Sequence, residues 1–305
     1  MKVRVLGSAA GGGFPQWNCN CRNCAGVRGN TLRSTPRTQS SIALWGDDGR
    51  SWALINASPD ILVQLRASPT LRGAGVPRDS AIAAIVLVDG QIDHTAGLLL
   101  LRESGAPLQV WCTEQVLSDL SHGYPVLSLL SHYCGVEHHE VVPDGGTFAI
   151  PGIEGVSWRA LAVAGKPAPY SPHRDAPLRG DNIALVMEGA GARSVVYAPG
   201  VGAMQEDLWR AMQAAACVLI DGTFWSDDEL SLLGISHKRA RAMGHLAQSG
   251  AGGMLEWLER LPRSTRRMLI HVNNTNPILD EDSPQRAELE RRGIEVAWDG
   301  LEVEL

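Results

Sequence analysis

Ala81-Ile82-Ala83-Ala84-Ile85-Val86-Leu87-Val88 leads directly into Asp89-Gly90-Gln91-Ile92-Asp93-His94-Thr95-Ala96-Gly97, and Leu98 to Leu101 follow. The apolar, β-branched run has the length of a buried strand, and the leucines beyond Gly97 read as a helix. The polar cluster between them therefore falls at the carboxyl end of a strand, where open α/β sheets place their chemistry. Asp93 and His94 supply a carboxylate and an imidazole, ligands suited to a borderline metal. A two-metal hydrolytic site of the His-x-His-x-Asp-His kind would need imidazoles at positions 89 and 91, where this chain has Asp89 and Gln91.

Working outward, the 305 residues are 44% hydrophobic and 20% charged, the composition of a folded globular protein. With no Pro/Ser linker or charge run to mark a boundary, a single domain over residues 1–305 is expected. A formal net charge of −6 argues against a nucleic-acid partner, because phosphate binding needs a basic face. No apolar run approaches the ~20 residues of a membrane span. Met1 to Leu6 alternates like a strand and lacks the apolar core of a signal peptide. A cytoplasmic location is expected, with the six cysteines as thiols or metal ligands rather than disulfides.

Along the chain, Ser41–Trp45 and Ser51–Ile55 flank the turn signal Asp47-Asp48-Gly49 and predict a hairpin. Asp60 is positioned to cap a helix over Ile61–Ala67. A strand is predicted at Leu108–Cys112, then helix from Glu114 to Tyr133 with a break near Gly123 and Pro125. Val156–Val163, Ile183–Met187, Ser194–Ala198, Cys217–Ile220, Arg267–Val272 and Ile294–Trp298 read as strands. Gln205–Ala216, Met254–Leu261 and Gln285–Arg292 read as helices. Alternating hairpins and helices in both halves predict an α/β fold, a sandwich of two mixed sheets with helices outside. Three polar clusters then end strands: Asp89 to His94, Asp221, and His271 to Asn274.

Cys19, Cys21 and Cys24 lie within six residues of a loop rich in glycine and proline, a spacing that lets three thiolates converge on one tetrahedral cation. This predicts a closed, structural zinc site with a fourth ligand from far along the chain. Cys112, Cys134 and Cys217 have apolar neighbours and read as small buried hydrophobes.

Asp93, His94 and His271 together make two imidazoles and one carboxylate. That composition matches the facial triad of non-haem iron(II) oxygenases, which leaves positions open for substrate and dioxygen. Asp89 and Asp221 are read either as partners that orient the imidazoles or, for Asp89, as a further ligand. Asp89 is also the one obvious general base for a residual single-metal hydrolase. His245 follows the basic run Lys238-Arg239-Ala240-Arg241 and reads equally as the lining of a pocket for an acidic substrate or as a solvated turn. His122, His132, His138 and His139 read as solvated loop residues.

Three stretches carry a family resemblance: Gly11-Gly12-Gly13-Phe14-Pro15-Gln16-Trp17-Asn18-Cys19-Asn20-Cys21-Arg22-Asn23-Cys24, Val88 to Gly97, and Ile270-His271-Val272-Asn273-Asn274-Thr275-Asn276-Pro277. Together they resemble the pyrroloquinoline quinone (PQQ) biosynthesis protein B family, over essentially the whole chain. The resemblance implies a metallo-β-lactamase-like αββα sandwich of two mixed sheets, with a zinc loop over residues 11–30 inserted near the N-terminus. Hydrolases of that fold carry further ligands where this chain has Ala162 to Gly165 and Tyr197 to Gly200, and neither segment supplies one. The family's implied reaction is iron- and dioxygen-dependent hydroxylation of the tyrosine ring of a cross-linked glutamate–tyrosine precursor of PQQ. Asp93, His94 and His271 map onto the Fe(II) ligands, and Cys19, Cys21 and Cys24 onto the Zn(II) ligands. Phosphodiesterase relatives place the fourth zinc ligand at the position of Asn274. Gln91, Asp221, His245 and Asn273 fall around the implied substrate, a small anionic aromatic molecule. Transport of PQQ or its precursor towards the periplasm is the family's alternative reading, and a homodimer and other PQQ-pathway proteins are its implied partners.

Overall fold

The computed structural model describes all residues except 47, 48, 50, 74 and 76. Among the described residues thirteen strands occur: β1 (Lys2–Gly7), β2 (Ser41–Trp45), β3 (Trp52–Ile55), β4 (Ile82–Val86), β5 (Leu108–Cys112), β6 (Val136–Glu140), β7 (Ser157–Ala162), β8 (Ile183–Glu188), β9 (Ser194–Ala198), β10 (Cys217–Asp221), β11 (Arg266–Ile270), β12 (Glu295–Val296) and β13 (Glu302–Glu304). They form a seven-stranded sheet ordered β13-β1-β2-β3-β4-β5-β6 and a six-stranded sheet ordered β12-β11-β10-β9-β8-β7. Both are mixed. In the first, β1 to β3 pair antiparallel and β3 to β6 parallel. In the second, β7 to β9 pair antiparallel and β9 to β12 parallel.

The two-residue period of a strand decides which layer each side chain enters. Ala84 and Val86 of β4 join Leu185, Tyr197, Leu219 and Ile270 in the core between the sheets. Ile85 and Leu87 point the other way, against Ile61, Leu98 and Leu120 of the helices covering the first sheet. On β10, Val218 and Ile220 face Leu208, Leu258 and Leu289 of the outer helices of the second sheet. With both faces covered, these strands have no solvent side, which explains apolar runs in place of alternation. The result is the expected αββα sandwich.

Several local expectations change. Asp47 and Asp48 of the turn signal lie outside the described residues, but β2 and β3 pair antiparallel as a hairpin requires. Asp60 precedes the helix Ile61–Ala67 without capping it by its side chain. Its Oδ2 instead accepts from the backbone N and side-chain Nε2 of Gln39, at 2.9 and 3.0 Å, pinning the segment after the cysteine loop. His138 and His139 are not in a loop: they belong to edge strand β6, with His139 stacked on Trp111 at 4.5 Å. Their charged neighbours Glu137 and Glu140 masked a strand supported by pairing with β5 along its full length. β12 is two residues long: before it Gly293 N closes the preceding helix on Glu290 O at 3.0 Å, and after it Trp298 O already accepts from Leu301 N at 3.1 Å in the turn that leads to β13.

The carboxyl ends of β4, β10 and β11 meet at one edge of the sandwich. There the sheets are stitched together, Ile183 N donating to Val88 O at 2.9 Å and Ala10 N to Val272 O at 3.0 Å.

Candidate metal centre

Asp93 and His94 sit on a single helical turn, Ile92–Thr95, in the segment that follows β4. Gly97 lets this turn press against the chain after β3, donating its N–H to Ala57 O at 2.9 Å. His271 comes from the other sheet, one residue past β11, and its backbone is left-handed at φ +61°. That conformation costs a non-glycine residue on the order of 1–3 kcal/mol and is tolerated where the surroundings enforce it. It turns the imidazole across the sheet edge towards Asp93.

The ligand atoms of Asp93, His94 and His271 lie within 4.8 Å of one another. Asp93 Oδ2 is 3.1 Å from His271 Nε2 and 3.9 Å from His94 Nε2. The two imidazoles meet edge to face at 5.2 Å. His94 Nε2 is buried and, among the described residues, has no hydrogen-bond partner. A buried, orphaned lone pair beside a carboxylate and a second imidazole fits a metal ion. The donor set therefore suits the cation the sequence implied.

Each imidazole is held from behind. His94 Nδ1 contacts both oxygens of Asp89, at 2.8 and 2.9 Å. His271 Nδ1 lies 2.9 Å from Thr223 Oγ1, which donates to Asp221 Oδ1 at 2.6 Å. Both Nδ1 protons are thus placed, leaving each Nε2 as the ligand atom. Burial opposes charge on His94, yet Asp89 and Asp93 override it and push the metal-free imidazole up to about 9. Asp93 is likewise buried, and His94 and His271 hold its carboxyl well below the ordinary carboxylate range.

A second cluster, Asp221, His245 and His271, shares an imidazole with the first. Asp221 already accepts from Thr223 N and Oγ1 on one oxygen, and from Val201 N and His245 Nδ1 on the other. A carboxylate so saturated orients its neighbours and has little left for a cation. His245 stacks on His271 at 5.5 Å and meets Phe224 edge-on at 5.9 Å. Of its two sequence readings, the pocket lining is the one realised. Burial opposes its charge, and Asp221 holds it above its ordinary value.

A cavity of about 200 Å³ contains Asp89, Asp93, His94, His245 and His271. Gln91 and Asn273 also line it, whereas Asp221 and Asn274 do not. Gln91 Nε2 donates to Lys166 O at 3.0 Å, tying residues 163–182 to the metal loop. Lys238, Arg239 and Arg241 do not border it; Arg239 faces Asp227 at 3.7 Å. Thr223, Lys166 and Arg174 escaped the sequence reading. The signal for Thr223 was a hydroxyl two residues beyond a strand-end acid; for the others it was a long irregular run between β7 and β8, a length that usually marks function.

The cysteine loop is a separate site. Cys19, Cys21 and Cys24 converge, and Asn274 Nδ2 lies 3.1, 3.7 and 3.3 Å from their sulfurs. Asn274 follows His271 by three residues, so one short segment reaches both clusters. Asn23 Nδ2 reinforces the join, donating to the carbonyls of Asn274 at 3.1 Å and Asn276 at 2.9 Å. Burial drives the Cys21 thiol up to about 12, opposed by a backbone hydrogen bond from Cys24. Three thiols packed together in this way need a cation to ionise as a group.

Residues 51–272 match the family model of the β-lactamase superfamily domain. The coenzyme PQQ synthesis protein B of Azoarcus sp. (strain BH72) is 60% identical over the full length of both chains. A crystal structure of Zn(2+)-bound PqqB from Methylobacterium extorquens superposes with a TM-score of 0.90 at 36% identity, again over all of both chains. A diphosphatase of the PhnP family shares the fold, with a TM-score of 0.67 at 18% identity over 100% of this chain and 97% of its own. On sequence and fold together, the chain belongs to the coenzyme PQQ synthesis protein B family of the β-lactamase superfamily.

Proposed function

We propose that this protein serves PQQ biosynthesis as a non-haem iron hydroxylase acting on the tyrosine ring of a cross-linked glutamate–tyrosine precursor. The observation that carries the reading is the pair of buried imidazoles, each fixed through Nδ1, whose Nε2 atoms face a single carboxylate. Asp93, His94 and His271 would hold ferrous iron on one side and leave the cavity side for substrate and dioxygen. Ferrous iron bound there supplies activation of dioxygen for ring hydroxylation.

The chain's own residues do the rest. Asp89 and the Thr223–Asp221 relay keep the two imidazoles in the ligating tautomer. His245, held through Nδ1 by Asp221, offers Nε2 to the phenolic oxygen of a substrate in the cavity. Gln91 and Asn273 offer neutral hydrogen-bonding groups along its walls. The Cys19, Cys21 and Cys24 loop would hold structural zinc, fastening residues 11–30 to the segment that carries His271. Both Asp89 oxygens face His94 Nδ1, a placement that favours orientation over service as a general base.

Anaerobic loading with ferrous iron, followed by exposure of the precursor to air, tests the reading. Hydroxylated product should form with iron, and His271→Ala should abolish turnover while the cysteine loop keeps its zinc. Equal turnover with zinc or magnesium in the site would sink it.

A further inference from the structure

We propose that Lys166 and Arg174 form a two-point clamp for carboxylates, selecting aromatic substrates that carry more than one. The inference deepens the hydroxylase reading and rests on it for the substrate, but the clamp itself is argued from charge and placement. Both residues line the cavity that holds Asp93, His94 and His271. Among the described residues the Lys166 ammonium has no carboxylate partner. The Arg174 guanidinium donates to the carbonyl of Pro167, in its own loop, and it too has no carboxylate partner among the described residues. A guanidinium has five donors, so most of its fork remains available to a bound carboxylate.

The cavity's own acids cannot neutralise this pair. Asp89 is spent on His94, and Asp93 lies against His271 and His94. Two half-buried cationic residues bordering a pocket on a chain of net charge −6 therefore mark that pocket for an anion. Their distance from the metal ligands is fixed from two sides. Gln91 Nε2 grips the Lys166 carbonyl at 3.0 Å, and the Tyr170 hydroxyl donates to the Gly90 carbonyl. Gln91 and Gly90 are both within four residues of His94, so the clamp and the metal loop are one unit. Beyond them, a second cavity of about 510 Å³ shares Phe224, Met243 and Asn273 with the first. Phe224 and Met243 offer an apolar wall for a ring, while the carboxylates are held at the opposite end.

The test is calorimetric titration of the zinc-loaded full-length protein with benzene-1,3,5-tricarboxylate and with benzoate. Wild type should prefer the tricarboxylate, with a preference that shrinks as salt is raised. Lys166→Met and Arg174→Gln should each weaken tricarboxylate binding by about tenfold, the loss of one charge-assisted contact. Each should change benzoate affinity by no more than about twofold, because a single carboxylate can use the remaining cation; metal content and melting temperature should not change, and Lys166→Arg should restore most of the loss. Wild-type tricarboxylate affinity in both metal-replete variants overturns the clamp, as does a wild type with no preference over benzoate. No turnover is measured, so a failed clamp leaves the hydroxylase reading standing and a failed hydroxylase reading leaves the clamp standing.

Discussion

Thr223 Oγ1 lies 2.9 Å from His271 Nδ1 and donates its own hydrogen bond to Asp221 Oδ1 at 2.6 Å. This hydroxyl does for His271 what Asp89 does directly for His94. One imidazole is oriented by a carboxylate in contact, the other by a carboxylate one hydrogen bond away.

Thr223→Val keeps the shape of the side chain and removes the relay. Metal affinity at Asp93, His94 and His271 should fall by about 10–100-fold, the usual cost of losing an outer-shell partner. Thr223→Ser should restore it. Competition against a chelator of known strength measures the change, and zinc in the cysteine loop should be unaffected.

Cys24 is fully buried among the three thiols. Cys24→Ser should release the cysteine-loop zinc and lower the melting temperature, since structural zinc contributes on the order of 10 kcal/mol of binding free energy to such sites. Asn274→Ala should weaken zinc retention less, by about tenfold, as expected for an amide near the sulfurs rather than a fourth thiolate. Metal content after dialysis against chelator separates the two effects.

Glu229 is buried, and that burial pushes its carboxyl up to about 7, against hydrogen bonds from Thr275 and the Trp225 backbone. A carboxyl whose folded value lies above its unfolded one favours the folded state at low pH. That advantage is complete below about 4.5 and is lost as pH rises through about 7. Glu229→Gln should flatten the profile and stabilise the protein at pH 8 by up to about 3 kcal/mol. Denaturant melts at pH 5 and pH 8 give the comparison; equal slopes in both proteins would contradict it.

A Cβ on Gly97 would fall 2.7 Å from Ala57 O and collide with Ser58 O as well. Gly97→Ala should therefore cost upwards of about 3 kcal/mol, at the severe end for point substitutions. Because the helical turn bearing Asp93 and His94 would have to lift, metal binding at that site should weaken along with stability. Thermal melts with and without added metal test both consequences.

The sandwich was legible because its strands are covered on both faces, so they appear as uninterrupted apolar runs such as Ala81–Val88. The edge strand β6 was not: it reads Val-Glu-His-His-Glu, with polar residues where a buried strand would have apolar ones. A cap was expected at Asp60 because local rules see only the helix beside it. They cannot see Gln39, brought there by the path of the cysteine loop.

At the site, the sequence by itself determined the ligand types and their order. It placed a carboxylate and imidazole after β4, an imidazole after β11, three thiols near the N-terminus, and no imidazole at positions 89 or 91. What it could not determine was which atoms face one another, since His271 and Asp93 are 178 positions apart and belong to different sheets. Only the packing of those sheets, and the left-handed turn at His271, brings both Nε2 atoms to one carboxylate. The same packing stations Thr223 behind His271, sets Asn274 among the sulfurs and carries Lys166 and Arg174 over the cavity. Coordination is a matter of ångströms and lone-pair direction, and these are fixed by the contact of distant surfaces rather than by neighbours along the chain.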